Sequence, residues 1–289
     1  MKPLNFEVES ILKNASSSKA SKKAALAKLG ITPYEISFLL EGVESTTNAA
    51  FTFGVEMECF VNRGSIRTAA EQTGMAYEYE GYNHRDGHAY FKFTTDASLG
   101  GMPDPIECVS PVLKGGNGKK LLKNACKTLN NADAKVNQTC GLHVHIGAAK
   151  LTAKQYVSVF VNYAYLEGVI SSFMAQSRRN NRFARPIAES VENLKQCDSI
   201  EGVWRTLGTR YATVNPDSYN RHKTIEFRQH GGTTNYDKIV NWVAFCGKLV
   251  NWSKNHRLEA PVASIDEIPF LNEKEKSFFK ARAAQFASR

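Results

Sequence analysis

Phe53-Gly-Val-Glu-Met-Glu-Cys-Phe60 is an apolar run broken by two carboxylates, Glu56 and Glu58, at i and i+2. Side chains alternate across a strand, so both acids point to one face while Phe53, Val55 and Met57 point to the other. The pattern returns twice. Cys140-Gly-Leu-His-Val-His-Ile146 carries His143 and His145, and Thr224-Ile-Glu-Phe-Arg228 carries Glu226 and Arg228. Such strands give a sheet one apolar face, suited to helix packing, and one face of acids, imidazoles and a guanidinium. The fold class expected is α+β, with a largely antiparallel sheet, helices on one face and the polar face open.

The segments around these strands supply the helices. Ser65 is a candidate cap for a helix running to Gly74, and Asp86-Gly87 between Tyr77–Tyr82 and Ala89–Thr94 signals a hairpin. Ile106–Val112 reads as a strand, followed by a turn at Gly115-Gly-Asn-Gly118 and a helix through Leu121, Leu122, Ala125, Cys126 and Leu129. Thr152 and Gln155 form a capping box ahead of the longest helix, whose stripe from Tyr156 to Met174 predicts core. Residues 176–209 read as irregular and arginine-rich. Arg210–Val214 and His222–Gln229 are expected to pair as strands, with helices at Asp237–Trp252 and Asn272–Phe286. Residues 1–48 differ in composition, being rich in Ser, Ala and Lys from Lys13 to Lys28, and read as a helical appendage with a second turn at Ile36, Leu39 and Leu40.

The chain of 289 residues is 42% hydrophobic, enough for a sizeable core. Its 37 basic and 28 acidic residues give +9, which favours anionic ligands. No apolar run approaches membrane-spanning length and the N-terminus lacks a signal-type apolar segment, so the expectation is a soluble, cytoplasmic protein with no membrane partner. The six cysteines include no C-x-x-C pair and read as reduced core thiols.

Two carboxylates at adjacent same-face positions lie on the order of 6–7 Å apart, which costs roughly 2–3 kcal/mol at an effective dielectric near 20. Glu107 and Glu226 add to that repulsion if they share the surface, so either protons or cations must sit among them. Carboxylates with a histidine suit Mg²⁺ or Mn²⁺ better than zinc. Each pair also has a plain structural reading: exposed edge acids, hydrogen-bonded sheet histidines, a cross-strand ion pair. Their coincidence in one chain favours a site. Arg182, Arg185, Arg210 and Arg228 adjoin apolar residues that can hold a guanidinium in place for phosphate or carboxylate, whereas a solvated loop accounts for Arg178 and Arg179.

Taken together, Phe53-Gly-Val-Glu-Met-Glu58, Asp96-Ala-Ser-Leu99, Ile106-Glu-Cys-Val-Ser-Pro111, Cys140-Gly-Leu-His-Val-His145, Arg210 with Asn215, and Thr224-Ile-Glu-Phe-Arg228 with His230 and Thr233 resemble the amidoligase branch of the glutamine synthetase and glutamate–cysteine ligase superfamily. The resemblance covers roughly residues 51–250. It implies a curved sheet of the glutamine synthetase/glutamate–cysteine ligase type within a catalytic domain spanning 49–289. It also implies ATP and divalent ions as cofactors, and a reaction in which a carboxylate substrate is activated as an acyl phosphate and captured by an amine. By motif position Glu56, Glu58, Glu107, His143 and Glu226 are the implied metal ligands, with Glu56 and Glu58 on separate ions, Arg228 the implied contact to the transferring phosphoryl group, and Asp96 a residue that binds the amine or orients a substrate; Arg182, Arg185 and Arg210, read from their apolar neighbours, are the further candidates for holding the nucleotide. Two other readings remain. A metal-dependent hydrolase or phosphoesterase would use the histidines and acids to activate water. A non-catalytic basic nucleic-acid-binding protein would use the net charge, but would leave the in-strand acids unexplained.

Overall fold

β1 (Thr52–Phe60) alternates as its sequence dictates: Phe53, Val55, Met57 and Cys59 are buried on one face and Glu56 and Glu58 lie on the other. A computed structural model of the chain describes residues 4–29, 36, 40, 51–81, 88–95 and 98–287. The chain divides into two units, Met1–Cys140 with Gly232–Ile239 and Gly141–Gly231 with Val240–Arg289. The architecture is α+β with mixed, mostly antiparallel strand pairing.

In the first unit β1 pairs antiparallel with β4 (Pro105–Val109) and, at its start, with β5 (Leu113–Lys114). β3 (Phe91–Thr94) pairs antiparallel with β4, and β2 (Tyr77–Tyr79) lies parallel to β3. This corrects the expected hairpin. An Asp-Gly dipeptide reports only local turn propensity, and the residues between Tyr79 and Phe91 are numerous enough to bring the chain back in the same direction. Asp86 and Gly87 themselves lie outside the described residues. Met57, Cys108 and Phe93 stand opposite one another and are buried, giving the sheet its apolar face. α3 (Arg63–Thr73) and α4 (Gly115–Asn131) pack together through Ile66, Ala69, Ala70, Leu122, Ala125 and Leu129, with the Thr73 and Thr128 hydroxyls 2.6 Å apart. Asn62, not Ser65, caps α3, because its side chain accepts from Gly64 N at 2.8 Å. Gly74 ends the helix at φ 67, where a side chain would be strained. The glycines expected to form a turn at 115–118 instead open α4, which packs so closely on Leu113 that a Cβ at Gly118 would lie 3.1 Å from it.

The N-terminal part forms α1 (Leu4–Lys13) and α2 (Lys19–Lys28), separated by a break that Ser18 caps by accepting from Ser21 N. Val8, Leu12, Leu26, Ile36 and Leu40 cluster with Tyr90, so these helices share a core with the segment leading into β3. Lys19, Lys23 and Lys28 are exposed. Leu39 lies outside the described residues.

In the second unit β6 (Gly141–Gly147) and β7 (Val214–Asn215) flank β8 (Thr224–Gly231), all antiparallel. Leu142, Val144, Ile146, Ile225 and Phe227 are fully buried. α5 (Ala153–Ser172) packs on that face: Tyr163 meets the Phe227 ring at 5.7 Å and donates to Gln229 Oε1 at 2.5 Å. The capping box forms, with Thr152 N donating to Gln155 Oε1 at 3.0 Å and Gln155 N to Thr152 Oγ1 at 3.3 Å. The stretch expected to be irregular contains α6 (Val191–Lys195) and α7 (Ile200–Leu207), the latter capped by Ser199 and ended by Gly208. α8 (Ser218–His222) occupies the turn before β8, so the strand expected from His222 starts at Thr224. α9 (Tyr236–Trp252), from Val240 onward, and α10 (Glu273–Ala287) close the aromatic core through Trp242, Phe245 and Phe279. Among the described residues no helix is long and apolar enough to cross a membrane.

Candidate functional site

On the polar face of the first unit, register fixes who meets whom. Glu58 stands opposite Glu107, and Glu107 opposite Thr94, so these three form one row across β1, β4 and β3. Glu56 lies two residues along, and its carboxylate offers an oxygen within 4.8 Å of one from Glu107. Oxygens that share a divalent ion at about 2.1 Å lie roughly 3–4 Å apart, so this separation is within the adjustment a rotamer supplies. Glu58 is 5% exposed, which makes a bare negative charge there costly. Asp96, the remaining acid singled out from the sequence, lies outside the described residues.

The polar face of the second unit is built around Glu226, which is buried and opposite His145. Asn215 Nδ2 donates to Glu226 Oε2 at 2.6 Å, and Arg228 donates to Oε1 at 2.5 Å. His143 Nδ1 lies 3.7 Å from the same oxygen, and His145 offers a nitrogen within 4.8 Å of a Glu226 oxygen. His145 Nδ1 is engaged at 2.9 Å with Thr224 Oγ1 and at 3.3 Å with Ser218 Oγ, so its ring is held from behind in the way metal-binding imidazoles are oriented. A register shift between Leu142 and Val144 changes the alternation of β8 beyond Arg228. His230 consequently pairs with the buried Leu142 and packs 5.9 Å from the Trp242 ring, apart from the Glu226–Arg228 series its motif suggests.

The arginines gather in this second unit on two aromatic rings. Arg182 lies 4.6 Å over Phe183, Arg210 lies 5.0 Å over Tyr211, and Arg228 lies 5.9 Å from the same Tyr211 ring. Phe183 and Tyr211 meet edge to face at 5.7 Å. Arg228 Nε also donates to Phe183 O at 3.1 Å. Arg185 joins through its backbone, with N donating to Tyr211 O and O accepting from Thr213 N, and its side chain is exposed. The solvated-loop reading of Arg178 is corrected: it is 2% exposed and donates to Arg228 O at 2.6 Å. The sequence around it is polar, but its stem packs against the Gly231 backbone and its guanidinium reaches the Arg228 carbonyl.

Sequence reasoning missed Glu167. It sits on α5 within the expected core stripe's helix, is 3% exposed, and takes hydrogen bonds from Ile187 N and Ala188 N, both at 2.7 Å, and from Thr213 Oγ1 at 2.5 Å. It thereby fastens the arginine-bearing segment to Thr213, whose carbonyl accepts from Arg228 N. Burial raises its pKa above the usual carboxylate value, against the pull of the three donors. Only the lone acid in an apolar helix, Glu167 among Leu166 and Val169, could have signalled it.

A family model described as "Putative amidoligase enzyme" matches residues 49–250. That is most of the chain, and it spans β1, β4, β6, β7 and β8, the strands that carry every candidate ligand described above. The chain belongs to the amidoligase family. No curated protein matches it.

Proposed function

We propose that this amidoligase is an ATP-dependent carboxylate–amine ligase acting on a sheet of the glutamine synthetase/glutamate–cysteine ligase type. The observation that supports it best is the composition of the two polar faces. The first unit carries paired carboxylates on β1 and β4, and the second carries a carboxylate with two imidazoles on β6 and β8 together with guanidiniums braced on aromatic rings. Glu56, Glu58, Glu107, His143 and Glu226 would hold Mg²⁺ or Mn²⁺, joined by His145 through Nε2. Bound there, such ions neutralise phosphate oxygens and draw charge from the transferring phosphoryl group.

The chain's own residues would do the rest. Arg228 is fixed at both ends of its guanidinium, by Glu226 and by Phe183 O, so it presents a rigid cation where negative charge builds up. Arg210 and Arg182, held over Tyr211 and Phe183, would bind the outer phosphate oxygens, with Arg185 at the solvent edge. A substrate carboxylate oxygen attacks the γ-phosphorus, ADP leaves, and the acyl phosphate forms. An amine then attacks the carbonyl carbon, inorganic phosphate leaves, and the amine gives up a proton. Phosphoryl transfer between anions depends mainly on positioning and charge neutralisation, which is what these groups offer. Asp96 would orient the incoming substrate.

The test is ADP release with Mg²⁺ across amino acids, polyamines, peptides and nucleic acids, with products read by mass. The reading expects turnover that needs ATP, a carboxylate and an amine together, and a drop of at least 100-fold in Glu56→Gln. Hydrolysis of a phosphoester without ATP would replace it with the hydrolase reading. Salt-sensitive nucleic-acid binding that ignores EDTA would replace it with a binding protein.

A further inference from the structure

The polar face of the first unit holds a buried cation that the metal-ligand pattern does not explain. Lys92 on β3 is 6% exposed, far below what a lysine ordinarily shows. Register puts it opposite Val109 of β4 and Glu78 of β2, and Val109 is itself opposite Glu56, so Lys92 shares the face of Glu56, Glu58 and Glu107. Two residues on, Thr94 shares that face directly opposite Glu107. Thr94 is 4% exposed, and its Oγ1 is buried with no hydrogen-bond partner. A buried hydroxyl left in that state costs stability, and such groups are kept where something else completes them.

The geometry points to Lys92 and Thr94 as an oxyanion subsite for the carboxylate substrate. This rests on the ligase reading of the same face. A single ammonium beside one hydroxyl matches a carboxylate, which needs one point charge and one neutral donor; polyphosphate is better served by guanidinium forks. A fixed ammonium beside Glu58 and Glu107 adds to the neutralisation that divalent ions on those acids would provide, and so draws a substrate carboxylate to this edge of the face. Acyl-phosphate formation turns that carboxylate into a mixed anhydride with phosphate, so the Lys92 ammonium would hold the anionic carboxylate before the step and donate a hydrogen bond to the neutral acyl carbonyl oxygen after it. The plain alternative is that Lys92 serves only as the counter-ion of Glu78.

The experiment compares the intact protein with Lys92→Met, Lys92→Arg and Thr94→Val in ADP release with Mg²⁺, ATP and the best carboxylate and amine from the screen. Melting curves are taken with and without that carboxylate. The subsite predicts a KM for the carboxylate raised at least tenfold in Lys92→Met and Thr94→Val, a KM for ATP within twofold of the parent, and partial recovery in Lys92→Arg. Thr94→Val should also melt higher than the parent without ligand, since its orphan hydroxyl is gone, and lose the shift the carboxylate produces. If Lys92→Met only lowers the melting temperature and leaves both KM values alone, the lysine is a counter-ion and the inference falls. A rise in the KM for ATP alone assigns the subsite to phosphate and overturns it as stated. If the parent releases no ADP in response to any carboxylate, the ligase reading has failed and takes the inference with it.

Discussion

Arg228 shows most compactly how many structural partners one side chain can hold at a site proposed for chemistry. Its Nε holds Phe183 O, its Nη1 holds Glu226, its carbonyl accepts from Arg178, and its ring neighbour is Tyr211. A lysine could satisfy one of these partners but not two in one plane. Arg228→Lys is therefore expected to destabilise the fold by about 1–3 kcal/mol and to cut turnover by roughly 100-fold or more. Urea denaturation and steady-state rates check the two effects separately. That Arg228 meets Glu226 was legible in Thr224-Ile-Glu-Phe-Arg228, since alternation alone placed the two on one face. The role of Arg178 was not, because nothing in Gln176-Ser-Arg-Arg-Asn180 says which guanidinium turns inward. Its inward partner, the Arg228 carbonyl, lies fifty residues on and is set by the sheet.

At the scale of elements, local rules read well and long-range ones did not. The Thr152–Gln155 box, the burial of the α5 stripe and the alternation of β1 all depend on residues within one turn or one strand, and all form. The parallel approach of β2 to β3 and the register shift that turns His230 toward Trp242 depend on partners set by the rest of the sheet. Glu167 is the element-scale device of the second unit, tying α5 to the loop at Ile187 and Ala188 and to Thr213. Its raised pKa means that the folded protein holds this proton more tightly than the unfolded chain. Its contribution to stability is thus full below the ordinary value of 4.5 and is lost as pH rises through the raised one. Glu167→Gln, which keeps an acceptor for the two backbone amides, should flatten that fall. Glu167→Ala should cost about 3 kcal/mol or more by leaving three donors buried without an acceptor. Denaturant midpoints at several pH values check both.

At the scale of the molecule, the thiols show how thoroughly the apolar faces are sealed. Cys59, Cys108, Cys126, Cys140 and Cys246 are buried, and Cys197 is half-buried; none is in a disulfide. Burial pushes Cys59 and Cys126 up to about 12 and Cys108 and Cys246 higher still. A thiol-specific colorimetric reagent should therefore modify one cysteine of the native protein readily and all six in guanidinium. Several fast native thiols would mean that the sheet faces are open in a way the packing does not allow.

The central claim is that the acids of the two polar faces take up divalent ions and, with them, a nucleotide. Calorimetric titration with a non-hydrolysable ATP analogue, with Mg²⁺ and again with EDTA, reads this most directly. The account predicts binding that disappears with EDTA and weakens at least tenfold in Glu58→Gln. Nucleotide binding that is indifferent to EDTA, or none with Mg²⁺ present, would contradict it.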